Sequence, residues 1–287
     1  MREGEKIMKN KKQGSVQWLS LIFLIVLGIV WVTPLLYGVM SSFKSNLEMQ
    51  SVGFKFLPIH WIFTNYTRLL ENTANTPVFR WFLNSIVISG GSTILVLVVT
   101  SLSAFAFSRL RFRGRNALFM FLLSTMMFPA VMNIIPLYKI MTTLGWANTP
   151  WAMIFPAATG VFNIFLIRQF MDNIPIAYDE AARIDGASDW QIFRIVILPL
   201  IKPVLFVVAL FTFTGTWNDF LWPSIVFSDI NKMPITPGLK LLQGMYVADI
   251  PTLMAGAIIA IIPTFILYLV AQKYFLQSMS LSVGVKG

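Results

Sequence analysis

Six stretches of the chain run almost without a polar break: residues 18–40, 82–108, 117–138, 151–170, 203–228 and 250–272. The first, second, third and sixth contain no Asp, Glu, Lys or Arg; the fourth meets its first charge at Arg168, and the fifth holds only Asp219. A bilayer core of about 30 Å is crossed by roughly 20 apolar residues in a helix. Membrane β-strands alternate lipid and lumen faces over about 10 residues, so unbroken apolar runs of this length predict helices. The expected fold is all-α and integral to the membrane, with six transmembrane helices. Prolines 34, 129, 136, 156, 223 and 263 fall inside the predicted spans, where bundles tolerate them. In the second span, Ser89-Gly-Gly-Ser92 with Ser101 and Ser103 forms a small-residue face suited to close helix packing.

Composition agrees with the pattern. Hydrophobic residues make up 56% of the 287 positions and charged residues 12%, half the roughly 25% of a soluble domain. The 25 Phe and 9 Trp exclude a disordered chain. With no cysteine and only His60, the sequence offers no disulfide framework, no thiolate site, and little for zinc or a Ser-His dyad. An enzyme is not expected.

Charge gives the orientation. Arg2, Lys6, Lys9, Lys11, Lys12, Arg109, Arg111, Arg113, Arg115, Arg168, Arg183, Arg194, Lys202, Lys273 and Lys286 lie on the side of both termini. Lys44, Lys55, Arg68, Arg80, Lys139, Lys232 and Lys240 lie on the other. This two-to-one bias places both termini in the cytoplasm. The arginines of 109–115 read as a loop meeting anionic lipid rather than as a nucleic-acid site. The first apolar run is too long for a signal-peptide core and reads as an uncleaved span.

One cytoplasmic segment, 171–202, is both long and mixed in charge, with Asp172, Asp179, Glu180, Asp185 and Asp189 among the twelve acids. Pro175 suits a first helical turn, and Ala177, Glu180, Ala181, Ala182 and Arg183 favour helix. Gly186 supplies a stop, and Ser188 with Gln191 has the form of a capping box that starts a second helix, ending at Pro199. The residues alone support a structural cap and a docking element equally.

The string Glu180-Ala181-Ala182-x-x-Asp185-Gly186-Ala187, followed by Phe193-x-x-Val196-x-Leu198-Pro199, resembles the EAA motif of ABC importer permeases. Phe82-Leu-Asn-Ser85, Ala104 through Arg115, Trp217-Asn-Asp-Phe-Leu-Trp-Pro223 and the ending Val285-Lys-Gly287 are similar to the carbohydrate branch, in particular its maltose-type second permease subunit. The resemblance implies a type I ABC importer permease fold in a prokaryotic cytoplasmic membrane, with 171–202 as a helix–turn–helix coupling loop. It implies as partners a second permease, two ATPase subunits, an extracytoplasmic solute-binding protein and a sugar, with no nucleic acid. Glu180, Ala181, Ala182, Asp185, Gly186 and Ala187 then meet the ATPase. The chain lacks a G-x-x-x-x-G-K-[ST] phosphate loop, so ATP and Mg²⁺ belong to the partner and no cofactor to this chain. Residues 1–76 form the tail, first span and most of an outer loop; 77–276 form the permease domain; 277–287 form a cytoplasmic tail.

Trp217, Asn218 and Asp219 carry two readings. Asp219, expected about 24 Å along a helix begun at Pro203, either helps pack and cap helices or lines the sugar path. The competing functions are an ABC permease for another solute, such as glycerol phosphate or a peptide, and a secondary transporter. The latter calls for ion-coupling groups inside the membrane, where only Asp219 and Arg168 qualify.

Overall fold

The computed structural model describes residues 2–51, 53–71, 76–158, 160–242 and 249–284, and the side chains of 17–272 within them. Among the described residues there are helices and turns and no strand. The described backbone divides into two compact units. One comprises the chain up to residue 69 with 249–259, and the other 70–242 with the chain from 260 onward.

In the first unit, Arg2–Ser42 is one helix, of which Gln17–Ser42 is apolar enough to span a membrane. Its apolar side chains point outward all round, as in Trp31 at 73% exposure, the pattern of a helix that meets lipid or other helices. The chain after it is held by polar bonds to backbone. Asn65 Nδ2 donates to the carbonyls of Ser42 and Lys44 at 2.8 and 2.9 Å, and the Phe43 ring sits among Trp61, Phe63 and Tyr66.

The second unit is built around the helix Val78–Arg109, which packs against Lys202–Asn218, Val161–Asp172 and Trp151–Ala157. Ser85, Ser89, Ser92, Thr100 and Ser101 are buried on it, so its small face is used for packing, as the sequence predicted. Gly91 shows why size matters there: an added Cβ would lie 2.7 Å from Ile154 Cδ1. At its N-terminal end, buried Trp81 donates to the Ile230 carbonyl, and Asn84 donates to the carbonyls of Asn231 and Met233. Gly238 lies so close to the Trp81 ring that a side chain would overlap it. At the other end, Phe105, Phe107, Phe119, Met171, Ile192, Phe193 and Ile197 form an apolar cluster.

Val78–Arg109 and the long helix Ile250–Gly284 cover the predicted second and sixth spans. The other three predicted spans are broken, and here the straight-span expectation is corrected. The third divides into Arg115–Thr125 and 130–143, at 91° to each other. Pro129 is extended (φ −61°, ψ 125°) and has no N–H to continue the ladder, so the helix stops before it. The fourth divides into Trp151–Ala157, which contains Pro156, and Val161–Asp172, whose N-cap is Gly160. The fifth ends at Asn218, after which Asp219 is extended and a short helix, Leu221–Val226, follows. By length and composition the described helices provide up to six spans, counting as single crossings the two pairs of the third and fourth spans and Asp189–Leu200 with Lys202–Asn218. The quoted ending at 285–287 lies outside the described residues.

Candidate functional site

The loop after the fourth span forms two helices joined by a tight turn. Ala177–Ile184 begins on a turn in which the Ile176 carbonyl accepts from Asp179 and Glu180. Its end has two closing hydrogen bonds: Gly186 N–H to the Arg183 carbonyl at 3.0 Å, and Ala187 N–H to the Ala182 carbonyl at 2.9 Å. This is a Schellman ending, and it needs a left-handed residue at the position of Gly186, whose φ is +82°. The motif brings together the residues either side of the turn, and Ala182 and Ala187 both pack on the apolar cluster containing Ile192 and Phe193. The spacing of Ala182, Gly186 and Ala187 is thus the spacing of a helix stop.

The predicted capping box is present. Ser188 N–H donates to Gln191 Oε1 at 2.8 Å, and Gln191 N–H donates to Ser188 Oγ at 3.4 Å. The helix it starts, Asp189–Leu200, continues through Pro199 rather than stopping there. Pro199 removes one donor, and the preceding turns, Ile192–Ile197, widen to π geometry. The chain then bends by 77° at Ile201 and restarts with Pro203 in the first turn of Lys202–Asn218.

The two faces of this element differ. Glu180, Ala181, Asp185 and Gly186 lie on the exposed side, together with Tyr178, Trp190 and Ile184, the last 86% exposed. Ala182 and Ala187 turn inward. The predicted residues are therefore brought together as four presented positions and two that hold the turn.

Beneath the first helix is a buried ion pair that the sequence reading missed. Arg109 Nε lies 3.0 Å from Asp179 Oδ2, and the two side chains are 7% and 5% exposed. Arg109 Nη2 also donates to the carbonyls of Met171 and Ile174 at 3.0 and 2.8 Å. Burial pushes the Asp179 carboxyl above its ordinary range, and the charges of Arg109 and Arg183 pull it partly back. The pair becomes legible only once the inward face of the helix is known. Asp179 shares an inward face with Ala182, three residues on, and an acid on such a face requires a cation.

Trp217, Asn218 and Asp219 are adjacent but play unlike structural parts. Trp217 is 1% exposed, donates to the Ala260 carbonyl at 3.0 Å and packs edge-on against Phe82. Asn218 is exposed. Asp219, expected within a helix, instead sits just beyond one. It lines a cavity of about 210 Å³ with Asn133 and Trp222.

Residues 96–281 match the family described as "Binding-protein-dependent transport system inner membrane component". The chain belongs to this family. It is 34% identical to a diacetylchitobiose uptake system permease protein of Streptomyces coelicolor, over 91% of this chain and 87% of that protein. It is 32% identical to an arabinooligosaccharides transport system permease protein of Halalkalibacterium halodurans, over 98% and 100%. Its fold is similar, at a TM-score of 0.80 and 27% identity, to a chain in the crystal structure of a bacterial ABC transporter involved in the import of the acidic polysaccharide alginate. That match covers 90% of this chain and 96% of that one.

Like other binding-protein-dependent inner membrane components, the protein is a multi-pass transport subunit with the type I importer permease fold and not an enzyme. Among the described residues no three His, Asp or Glu side chains gather as a metal site.

Proposed function

We propose that this permease subunit pairs with a second, related permease to form an alternating-access path for a sugar or oligosaccharide. Two partner ATPases, which bind ATP and Mg²⁺, drive it, and an extracytoplasmic binding protein delivers the cargo. The exposed tip of the 177–200 element carries the coupling part of this reading. A rigid Schellman turn presents Ile184, Tyr178 and Trp190 beside Glu180 and Asp185, a small apolar patch rimmed by acids and suited to a groove on another protein. Glu180, Ala181, Asp185 and Gly186 form its contact surface, while Ala182 and Ala187 fix its shape.

Relatives that align over nearly the whole chain support a carbohydrate cargo, being named for diacetylchitobiose and for arabinooligosaccharides. The two-to-one bias of Lys and Arg toward the side that carries the tail, the 109–115 turn and the 171–202 loop supports a cytoplasmic location for that loop and for both termini. Trp217 is read as a packing residue, and Asp219 as the extended link between two helices.

The cargo is tested by titrating the associated binding protein by calorimetry with diacetylchitobiose, arabinotriose, glycerol 3-phosphate and a tripeptide. The expected result is saturable heat with a saccharide and none with the other two. Binding of the phosphate or the peptide alone would overturn the sugar assignment while leaving the family intact.

A further inference from the structure

The element that presents the exposed tip is tied to the transmembrane bundle at one place. Arg109 is the last residue of Val78–Arg109, the helix on which the second unit is built. Its guanidinium reaches three points of the segment leading into the 177–184 helix: the Asp179 carboxylate and the carbonyls of Met171 and Ile174. The neighbouring residue adds a fourth tie, as Ser108 Oγ donates to Asp172 Oδ1 at 2.6 Å. Asp172 is held in turn by Arg168, with Nε to Oδ2 at 3.5 Å. Three helices, ending at Arg109, ending at Asp172 and starting at Ala177, are thus joined by charged and hydrogen-bonded groups.

We infer that Arg109 is a positioning residue that makes the 177–184 helix and the end of the 78–109 helix move as one body. Force applied at the exposed tip then reaches the longest buried helix of the bundle. This rests on the reading of 177–184 as the ATPase-docking helix. The physical argument is one of geometry. An apolar pair would fill the same space with comparable stability, and packing alone permits sliding. The Arg109 guanidinium hydrogen-bonds two carbonyls through Nη2 and faces the Asp179 carboxylate as a charge 3.0 Å from Nε, so it is held from two sides. Of the two carbonyls it takes, that of Met171 also accepts the Ile174 N–H at 3.0 Å, and that of Ile174 lies two residues beyond the end of Val161–Asp172.

The test uses the complete transporter, with its second permease, ATPases and binding protein, in proteoliposomes. It compares Arg109→Met/Asp179→Leu with wild type. Removing both charges spares the cost of a lone buried ion, so assembly and ATPase co-purification are expected to stay near wild type. Uptake of radiolabelled saccharide per ATP hydrolysed is expected to fall at least ten-fold. An assembled double variant with the wild-type ratio would overturn the inference, since a merely structural pair would leave that ratio unmoved.

A second measurement does not depend on the double variant. This chain has no cysteine, so Ser108→Cys/Asp172→Cys can be bridged by oxidation in a complex whose other subunits are cysteine-free. If the two helices move as one body, the bridge forms and transport continues at the reduced protein's rate. A bridge that stops transport until reductant is added, or one that does not form, contradicts the inference. Retention of the ATPases after Gly186→Pro, by contrast, would refute the docking reading and leave the lock itself intact.

Discussion

The 177–200 element and the 217–226 segment are built from the same local device, a helix that stops, a short break and a helix that restarts. At the first, Gly186 is left-handed, Ser188 caps the next helix and the large apolar residues Ile184 and Trp190 face outward. At the second, Asp219 is extended between the two helices and the large apolar residue, Trp217, is fully buried. Similar backbone chemistry thus serves opposite ends. One break displays apolar surface, whereas the other anchors the chain within its own fold. A motif of helix-stopping residues gives the position of a turn, and the direction of the large side chains beside it tells what the turn is for.

The contrast is broken most forcefully by truncating both large residues. Trp217→Ala removes a buried ring and a hydrogen bond and is expected to cost about 3–5 kcal/mol, seen as a large drop in folded permease recovered from membranes. Ile184→Ala should leave that recovery unchanged, because surface truncations typically lie within about 0.5 kcal/mol, yet weaken retention of the ATPases on a column. Equal effects of the two on recovery would remove the distinction.

A smaller effect is expected at Gly186, and it separates shape from chemistry. A Cβ there meets no atom within 4 Å, so its cost is conformational only. Gly186→Val should cost about 1–3 kcal/mol of turn strain and reduce uptake severely, whereas Gly186→Asn, which tolerates the left-handed region, should retain most of it. Uptake by the Val variant equal to that of the Asn variant would show that the turn need not keep its geometry.

The first, second and sixth spans were legible because hydropathy over a long unbroken run has one outcome in a membrane. The breaks were not, because hydropathy registers how apolar a stretch is and not whether its backbone is continuous. Proline did not resolve the matter. Pro34 and Pro263 sit inside unbroken helices, while Pro129 ends one. What differs is the backbone that follows each proline, which neither hydropathy nor the residue type records. The Gly186 stop and the Ser188–Gln191 box were legible since all their bonds fall within a few residues. The Arg109–Asp179 pair was not, because two distant segments must meet before either charge has a reason to be buried.

The smallest effect is pH-dependent and belongs to that pair. Burial raises the Asp179 carboxyl, so the folded state holds its proton more tightly than the unfolded chain does. Stability is therefore greatest below the ordinary carboxylate value of 3.8, falls as pH rises through the raised value, and is level above it. Thermal unfolding of the purified permease across this window should show a shallow decline that Asp179→Asn abolishes. An unchanged slope in the variant would place the titration elsewhere.

The central claim is that the exposed tip of the 177–200 element is where the ATPases dock. It is tested most directly with a photo-crosslinking amino acid placed at Ile184 in the assembled transporter, and at Trp31 on the apolar first helix as a control. The account predicts a light-dependent adduct between this chain and an ATPase subunit from position 184 and none from position 31. An ATPase adduct from position 31, or its absence from position 184 in a complex that retains its ATPases, would contradict it.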